Sequence, residues 1–135
     1  KALRIAQEIG NRQSEAIGFG NLGLAYRGLD DTKRAVGYYK KALKIAQEIE
    51  HKRGEGVWLS NLGDIYRDEK KYKEALACYL LAKDIFINAE DRNLETTESN
   101  LKNLKEELGE REFEQLVAEV QPRAEEIIKK ILEEI

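Results

Sequence analysis

The chain has 135 residues, of which 36% are charged and 7% aromatic, with one proline and one cysteine. Its 23 Lys and Arg residues against 26 Asp and Glu residues leave no basic excess for nucleic-acid phosphates, and one cysteine excludes an intrachain disulfide. No apolar run approaches the ~18 residues that cross a bilayer. We therefore expect a helix-rich cytoplasmic protein with neither nucleic acid nor membrane as partner.

The first residues of the chain reappear further along it. KALRIAQEI at residues 1–9 returns as KALKIAQEI at residues 41–49, and a shift of 40 residues aligns residues 1–40 with residues 41–80. Seventeen of the 40 aligned residues are identical, which indicates a duplicated structural unit. Residues 1–10 match only the second helix of a unit, so we expect them to be that helix in a truncated repeat.

Residues 11–50 and 51–90 form the two clearest repeats. In each, apolar residues recur at i, i+3 and i+4 along two stretches separated by a polar break, which predicts a pair of helices. Gly23 and Gly63 lie inside the first helix of each repeat. Because glycine in a helix costs about 1 kcal/mol relative to alanine, its recurrence predicts a close contact between helices.

The repeat pattern decays after residue 90. Residues 91–121 keep Asn100 and Leu101 from the consensus and read as a degenerate repeat. Pro122 suits the first turn of a helix, and an isoleucine-rich stripe follows it. We expect residues 122–135 to be a C-terminal capping helix, because terminal repeats must present a different face to water.

The two clear repeats resemble the tetratricopeptide repeat family. The matching residues are Asn21, Leu22, Gly23, Tyr26, Ala35, Tyr39 and Ala42, and their equivalents Asn61, Leu62, Gly63, Tyr66, Ala75, Tyr79 and Ala82. The 40-residue period is similar to the longer subclass of Pins/LGN-type adaptors, kinesin light chain and bacterial regulators. The resemblance implies an all-α, right-handed superhelical solenoid of stacked antiparallel helix hairpins that serves as a protein-interaction scaffold.

In this architecture the first helix of each hairpin lines a concave groove. The residues expected there as a peptide-binding site are Asn21, Leu24, Arg27, Val57, Ser60, Asn61, Asp64, Arg67, Asn100 and Asn103. Gly20 is expected beside them. One asparagine recurs per repeat, and its amide can bond both N–H and C=O groups of a bound main chain, a role that the resemblance also implies. The alternative is that each asparagine bonds to a neighbouring helix.

The two groove arginines also leave two interpretations open. Arg27 and Arg67 are stacked one repeat apart, where they are able to bind an acidic side chain of a ligand. They equally suit ion pairs with Asp64 and Asp68 of the groove itself. The partner we expect is a protein or peptide segment of mixed charge.

Catalysis has no support in the sequence. No phosphate-binding glycine loop and no nucleophile motif occurs, so we expect no enzyme activity and no cofactor. His51 reads as an exposed loop residue and Cys78 as a small packing residue, and one of each makes no zinc site. For Trp58 we favour packing between helices over a role as a binding anchor.

Two other functions compete with a binding scaffold. One is a regulatory or autoinhibitory domain of a larger ATPase, enzyme or transcription factor, which sequence beyond both ends of this segment would reveal. The other is self-association through the helical ends. The candidate apolar surfaces are Leu3, Ile5, Ala6 and Ile9 at one end and the stripe over residues 127–135 at the other.

Overall fold

The computed structural model describes residues 2–134, apart from the side chains of residues 2, 3 and 6. This part of the chain contains no strand, and its α-helices pack against their sequence neighbours as a helical-repeat solenoid, which confirms the expected all-α class. The helices are α1 (Ala2–Gly28), α2 (Thr32–Glu48), α3 (Lys52–Asp68), α4 (Tyr72–Asn88), α5 (Asn93–Leu108), α6 (Glu110–Val120) and α7 (Ala124–Glu133). A 3-10 turn, Gln121–Arg123, joins α6 to α7.

The 40-residue period comes from two equal halves. The helices α2, α3 and α4 each have 17 residues, and three-residue turns separate α1 from α2, α2 from α3 and α3 from α4. Every half-unit therefore occupies 20 residues, and each hairpin of two helices occupies 40.

The turns between successive helices share one backbone conformation. In each, the second residue after the helix has a positive φ, and the N–H of the residue after it donates to a carbonyl five residues back, as Lys71 does to Tyr66 at 2.8 Å. This closes the helix end in the manner of a Schellman motif. The positive-φ residues recur every 20 residues: Asp30 (60°), Glu50 (55°), Lys70 (62°) and Glu90 (52°).

Gly10 stands at the same 20-residue interval, but no turn forms there. Helix α1 runs without a break from Ala2 to Gly28, across the boundary that the sequence predicts between residues 10 and 11. Each of the other turns joins two helices that pack against each other, whereas Ile5 and Ile9 in the first turns of α1 are exposed. With no packing partner, continuing the helix satisfies their backbone hydrogen bonds most simply.

Within each hairpin the two helices approach closely at a glycine, as the sequence predicts. A Cβ atom on Gly23 would lie 2.8 Å from the Tyr39 ring, and one on Gly63 would lie 2.7 Å from the Tyr79 ring. Both tyrosines are fully buried. The absence of a side chain on the first helix thus makes room for an aromatic ring on the second, which confirms the expected reason for glycine at this position.

The C-terminal helices depart from the repeated arrangement. Gly109 joins α5 to α6 with φ 89° and ψ 150°, which differs from the other turns, and α7 packs against α4. Most of the isoleucine stripe is therefore core: Ile128, Ile131 and Leu132 are buried. Of the residues expected to drive self-association, Ile135 and the side chains of Leu3 and Ala6 lie outside the described residues.

Candidate peptide-binding groove

Three first helices carry the recurring asparagine. Asn21 is exposed on α1, while Asn61 on α3 and Asn100 on α5 are half-buried. Among the described residues, none of these three amides donates to or accepts from another side chain. Each repeat therefore places an amide with free donors and an acceptor on its first helix, which is the chemistry that a bound main chain requires.

The two groove arginines have different surroundings. Arg27 crosses to the next hairpin, where its Nη2 lies 3.1 Å from Asp68 Oδ2 and its Nη1 lies 3.8 Å from Asp64 Oδ2. Arg67 is half-buried and forms no ion pair with any described residue. Of the two interpretations, internal pairing is thus found for Arg27, and Arg67 retains the donors that an acidic ligand group would use.

Asp64 lies at the centre of this charged cluster. The Tyr79 hydroxyl donates to its Oδ1 at 2.6 Å. Burial raises the pKa of the Asp64 carboxyl, and the Tyr79 hydrogen bond and the two arginines oppose that rise. Burial and the neighbouring Asp64 also raise the pKa of Tyr79, so its hydroxyl remains a donor. Asp64 therefore joins α3 to α4 and α1 to α3.

The equivalent contact is missing one repeat earlier. Tyr39 occupies the position of Tyr79, but Leu24 occupies that of Asp64, and the buried Tyr39 hydroxyl has no hydrogen-bond partner. Leu24 is instead among the exposed large apolar residues. The same position is thus apolar on α1 and acidic on α3, so the two first helices differ in chemistry at this point.

The remaining predicted residues line the same helices. Val57 and Ser60 are half-buried on α3, and the Ser60 Oγ atom is buried without a hydrogen-bond partner. Asn103 is exposed on α5. Sequence reasoning gave no signal for the two unpartnered hydroxyls, because their state depends on which residue faces them from the next helix.

Gly20 is not part of the groove surface, contrary to expectation. It is buried, and a Cβ atom there would lie 2.1 Å from the Trp58 ring. Trp58 also stacks on Tyr39, with ring centroids 6.2 Å apart. Trp58 therefore packs between the first helices of the two hairpins, as we favoured, and Gly20 is small because the indole occupies its side-chain space.

The single histidine and the single cysteine have structural positions. Cys78 is fully buried, and burial raises the pKa of its thiol, as expected for a packing residue. His51 is half-buried in the turn between α2 and α3, with its Nε2 3.4 Å from Gln13 Nε2. It is thus less exposed than the sequence suggested, because α1 extends alongside that turn.

The fold and this surface define the class of protein: a helical-repeat array whose first helices carry a recurring polar ladder. A family model, Tetratricopeptide repeat, matches residues 18–49 and 59–86, which lie within the hairpins of α1 with α2 and α3 with α4. These matches support a tetratricopeptide repeat family, whose repeats are generally protein-interaction modules. No curated protein and no solved structure matches the chain. Between residues 2 and 134, no helix is long and apolar enough to span a membrane.

Proposed function

We propose that the chain is a cytoplasmic adaptor of the longer-repeat subclass, and that it binds an extended segment of a partner protein along the first helices. The observation that carries this proposal is the ladder of Asn21, Asn61 and Asn100, whose amides have no side-chain partner among the described residues. Their spacing of about one per helix pair suits a peptide that bonds through its main chain. This contribution is independent of the peptide's sequence.

Sequence preference would come from the residues between the asparagines. Leu24 and Val57 offer apolar contact, and Arg67 offers a guanidinium that no described carboxylate occupies. Arg27 is neutralised by Asp64 and Asp68, so it adds little attraction for an acid. The preferred ligand therefore carries an apolar side chain facing the α1 end and a carboxylate facing Arg67.

The test compares the wild type with Asn61→Ala/Arg67→Ala. Both proteins are used to select from a displayed library of random peptides, and the affinity of a selected peptide is then measured for each. Losing an amide contact and a charge-assisted contact should weaken binding about 10- to 100-fold. Helicity and melting temperature should stay unchanged, because neither side chain is in the core.

The matched control is Asn88→Ala/Arg111→Ala, which removes the same two residue types from exposed positions on α4 and α6. It should bind like the wild type. Equal losses of affinity in the two double variants would move the binding site away from the first helices. A library that yields no peptide for the wild type would contradict peptide binding itself.

A further inference from the structure

A cavity lies between α2, the turn that joins α3 to α4, and α7. Its volume is about 790 Å³, within the roughly 300–1,000 Å³ that is typical of small-molecule sites. Val36, Tyr66 and Ile131 give it an apolar wall, and the ammonium of Lys71 lies 6.0 Å from the centroid of the Tyr66 ring. The cavity therefore combines an apolar surface with a cation beside it.

Lysines dominate the charge of this cavity. Five lysines and three glutamates line it, which leaves a net charge of +2. A second cleft that also touches α7 is lined by three lysines and four carboxylates, a net charge of −1. The positive excess is thus specific to the first cavity, whose lysines are Lys33, Lys40, Lys41, Lys44 and Lys71.

Lys40 is the half-buried member of this cluster. Burial lowers the pKa of its ammonium, Glu134 opposes that change, and repulsion from Lys44 and Lys71 adds to it. Among the described residues, no carboxylate forms an ion pair with any of these three lysines. Because a cation that is withdrawn from water without a partner costs free energy, an anion held between the three ammonium groups would stabilise them.

The lysine cluster does not belong to the repeated pattern. One repeat after Lys40 and Lys44, the equivalent positions hold Leu80 and Asp84. One repeat before Lys71, Asp31 caps α2 by accepting from the next helix's first turn, whereas Lys71 makes no such bond to α4. The repeat fold therefore requires a lysine at none of the three positions, which favours a role in binding over a role in packing.

We propose that this cavity binds a soluble phosphate monoester that carries an apolar group, with Lys40, Lys44 and Lys71 around the phosphate. A phosphate monoester has a charge of about −1.5 to −2 at pH 7, which matches the net charge of the cavity. Lys40 and Lys44 are one helical turn apart on α2, so their side chains lie on one face and are able to reach the same phosphate. The apolar group would lie against Val36 and Tyr66.

This inference does not depend on the proposed peptide binding. The phosphate site uses α2, α7 and the turn between α3 and α4, and it contains none of the asparagines of the ladder. Either kind of binding could therefore fail in an experiment while the other remained.

The first experiment titrates phenyl phosphate into the 135-residue chain by calorimetry at constant ionic strength. Lys40→Gln/Lys71→Gln should raise the Kd at least about tenfold, because two charge-assisted contacts are lost. The matched control is Lys52→Gln/Lys129→Gln, which makes the same change of charge in the second cleft and should bind like the wild type. Benzoate, which has the same ring but a single negative charge, should bind more weakly than phenyl phosphate to the wild type.

Thermal unfolding without ligand separates loss of binding from loss of fold. Lys40→Gln/Lys71→Gln should unfold at the wild-type temperature or above it, since the substitution removes a half-buried cation that has no described partner. Phenyl phosphate should raise the Tm of the wild type and of the control, and leave that of the cavity variant unchanged. A cavity variant that has lost both binding and stability would point to a structural role and overturn the proposal.

Vesicles distinguish a soluble ligand from a lipid headgroup with the same chemistry. Phosphatidic acid presents a phosphate monoester at a membrane surface, but its apolar chains stay in the bilayer and cannot fill the cavity. We expect no sedimentation of the chain with phosphatidylcholine vesicles that contain phosphatidic acid. Binding to these vesicles without binding of phenyl phosphate, equal affinities in the two double variants, or a wild type that binds no phenyl phosphate would each overturn the proposal.

Discussion

Tyr39 and Tyr79 occupy the same position in successive repeats, but we expect Tyr→Phe to change the free energy of unfolding differently at each. Tyr79→Phe removes a hydroxyl that donates to the half-buried Asp64 at 2.6 Å. A hydrogen bond to a charged group contributes about 1.5–3 kcal/mol, so we expect the free energy of unfolding to fall by about 2 kcal/mol. For a chain of this length that corresponds to a decrease of roughly 8 °C in Tm.

Tyr39→Phe removes the equivalent hydroxyl from the preceding repeat, where it is buried without a partner. Deleting an unpaired buried polar group relieves a desolvation cost, so this variant should be as stable as the wild type or up to about 1 kcal/mol more stable. Both rings stay in place, which makes each variant the other's control for packing. Urea unfolding followed by circular dichroism measures both differences.

The effect of Tyr79→Phe should also depend on pH. Burial raises the folded-state pKa of Asp64, so ionisation of this carboxyl destabilises the folded state at neutral pH, and protonation relieves that cost as the pH falls through the folded pKa. The Tyr79 hydroxyl stabilises the ionised form, so its loss matters most at neutral pH. The stability difference should shrink in acid. Equal destabilisation by Tyr79→Phe and Tyr39→Phe, at every pH, would refute this account of Asp64.

Two further predictions concern single backbone positions and are read from thermal unfolding. Gly63→Ala should lower the free energy of unfolding by about 1–3 kcal/mol, because its Cβ atom would lie 2.7 Å from the buried Tyr79 ring. Gly18→Ala, whose Cβ atom meets nothing within 4 Å, should raise it by about 0.5–1 kcal/mol. A destabilised Gly18→Ala would contradict the open space at that position. Lys70→Gly should stabilise the folded chain by up to about 1 kcal/mol, since Lys70 has φ 62° and glycine adopts that conformation without a steric penalty. A lower Tm would contradict this, because it would show that the flexibility glycine adds to the unfolded chain outweighs the removed steric penalty.

The features that the sequence predicted depend on local periodicity and internal alignment. The two hairpins and the packing of Gly23 and Gly63 follow from which residues recur at a 40-residue interval. Such recurrence reports on contacts that every repeat shares. It therefore predicts the repeated part of the molecule well.

The features that it missed arise where one repeat differs from the next. Whether the Tyr39 or Tyr79 hydroxyl has a partner depends on whether position 24 or 64 holds an acid. The sequence left internal pairing of the two arginines open, because which of them pairs depends on side-chain conformations across two hairpins. The helix break expected at Gly10 required a neighbouring helix that the described residues do not supply. The path of α6 and α7 follows from Gly109, whose backbone conformation has no counterpart in the earlier turns.

The shared turn conformation has a consequence for how arrays of this kind change length. Glu50 and Glu90 follow successive hairpins and have nearly the same φ, 55° and 52°, so the chain leaves each hairpin in the same way. A duplicate of residues 51–90 inserted after Glu90 would enter and leave through turns already present and would need no new connecting segment. An insertion of 40 residues therefore lengthens the array by one whole hairpin and keeps the later helices in register.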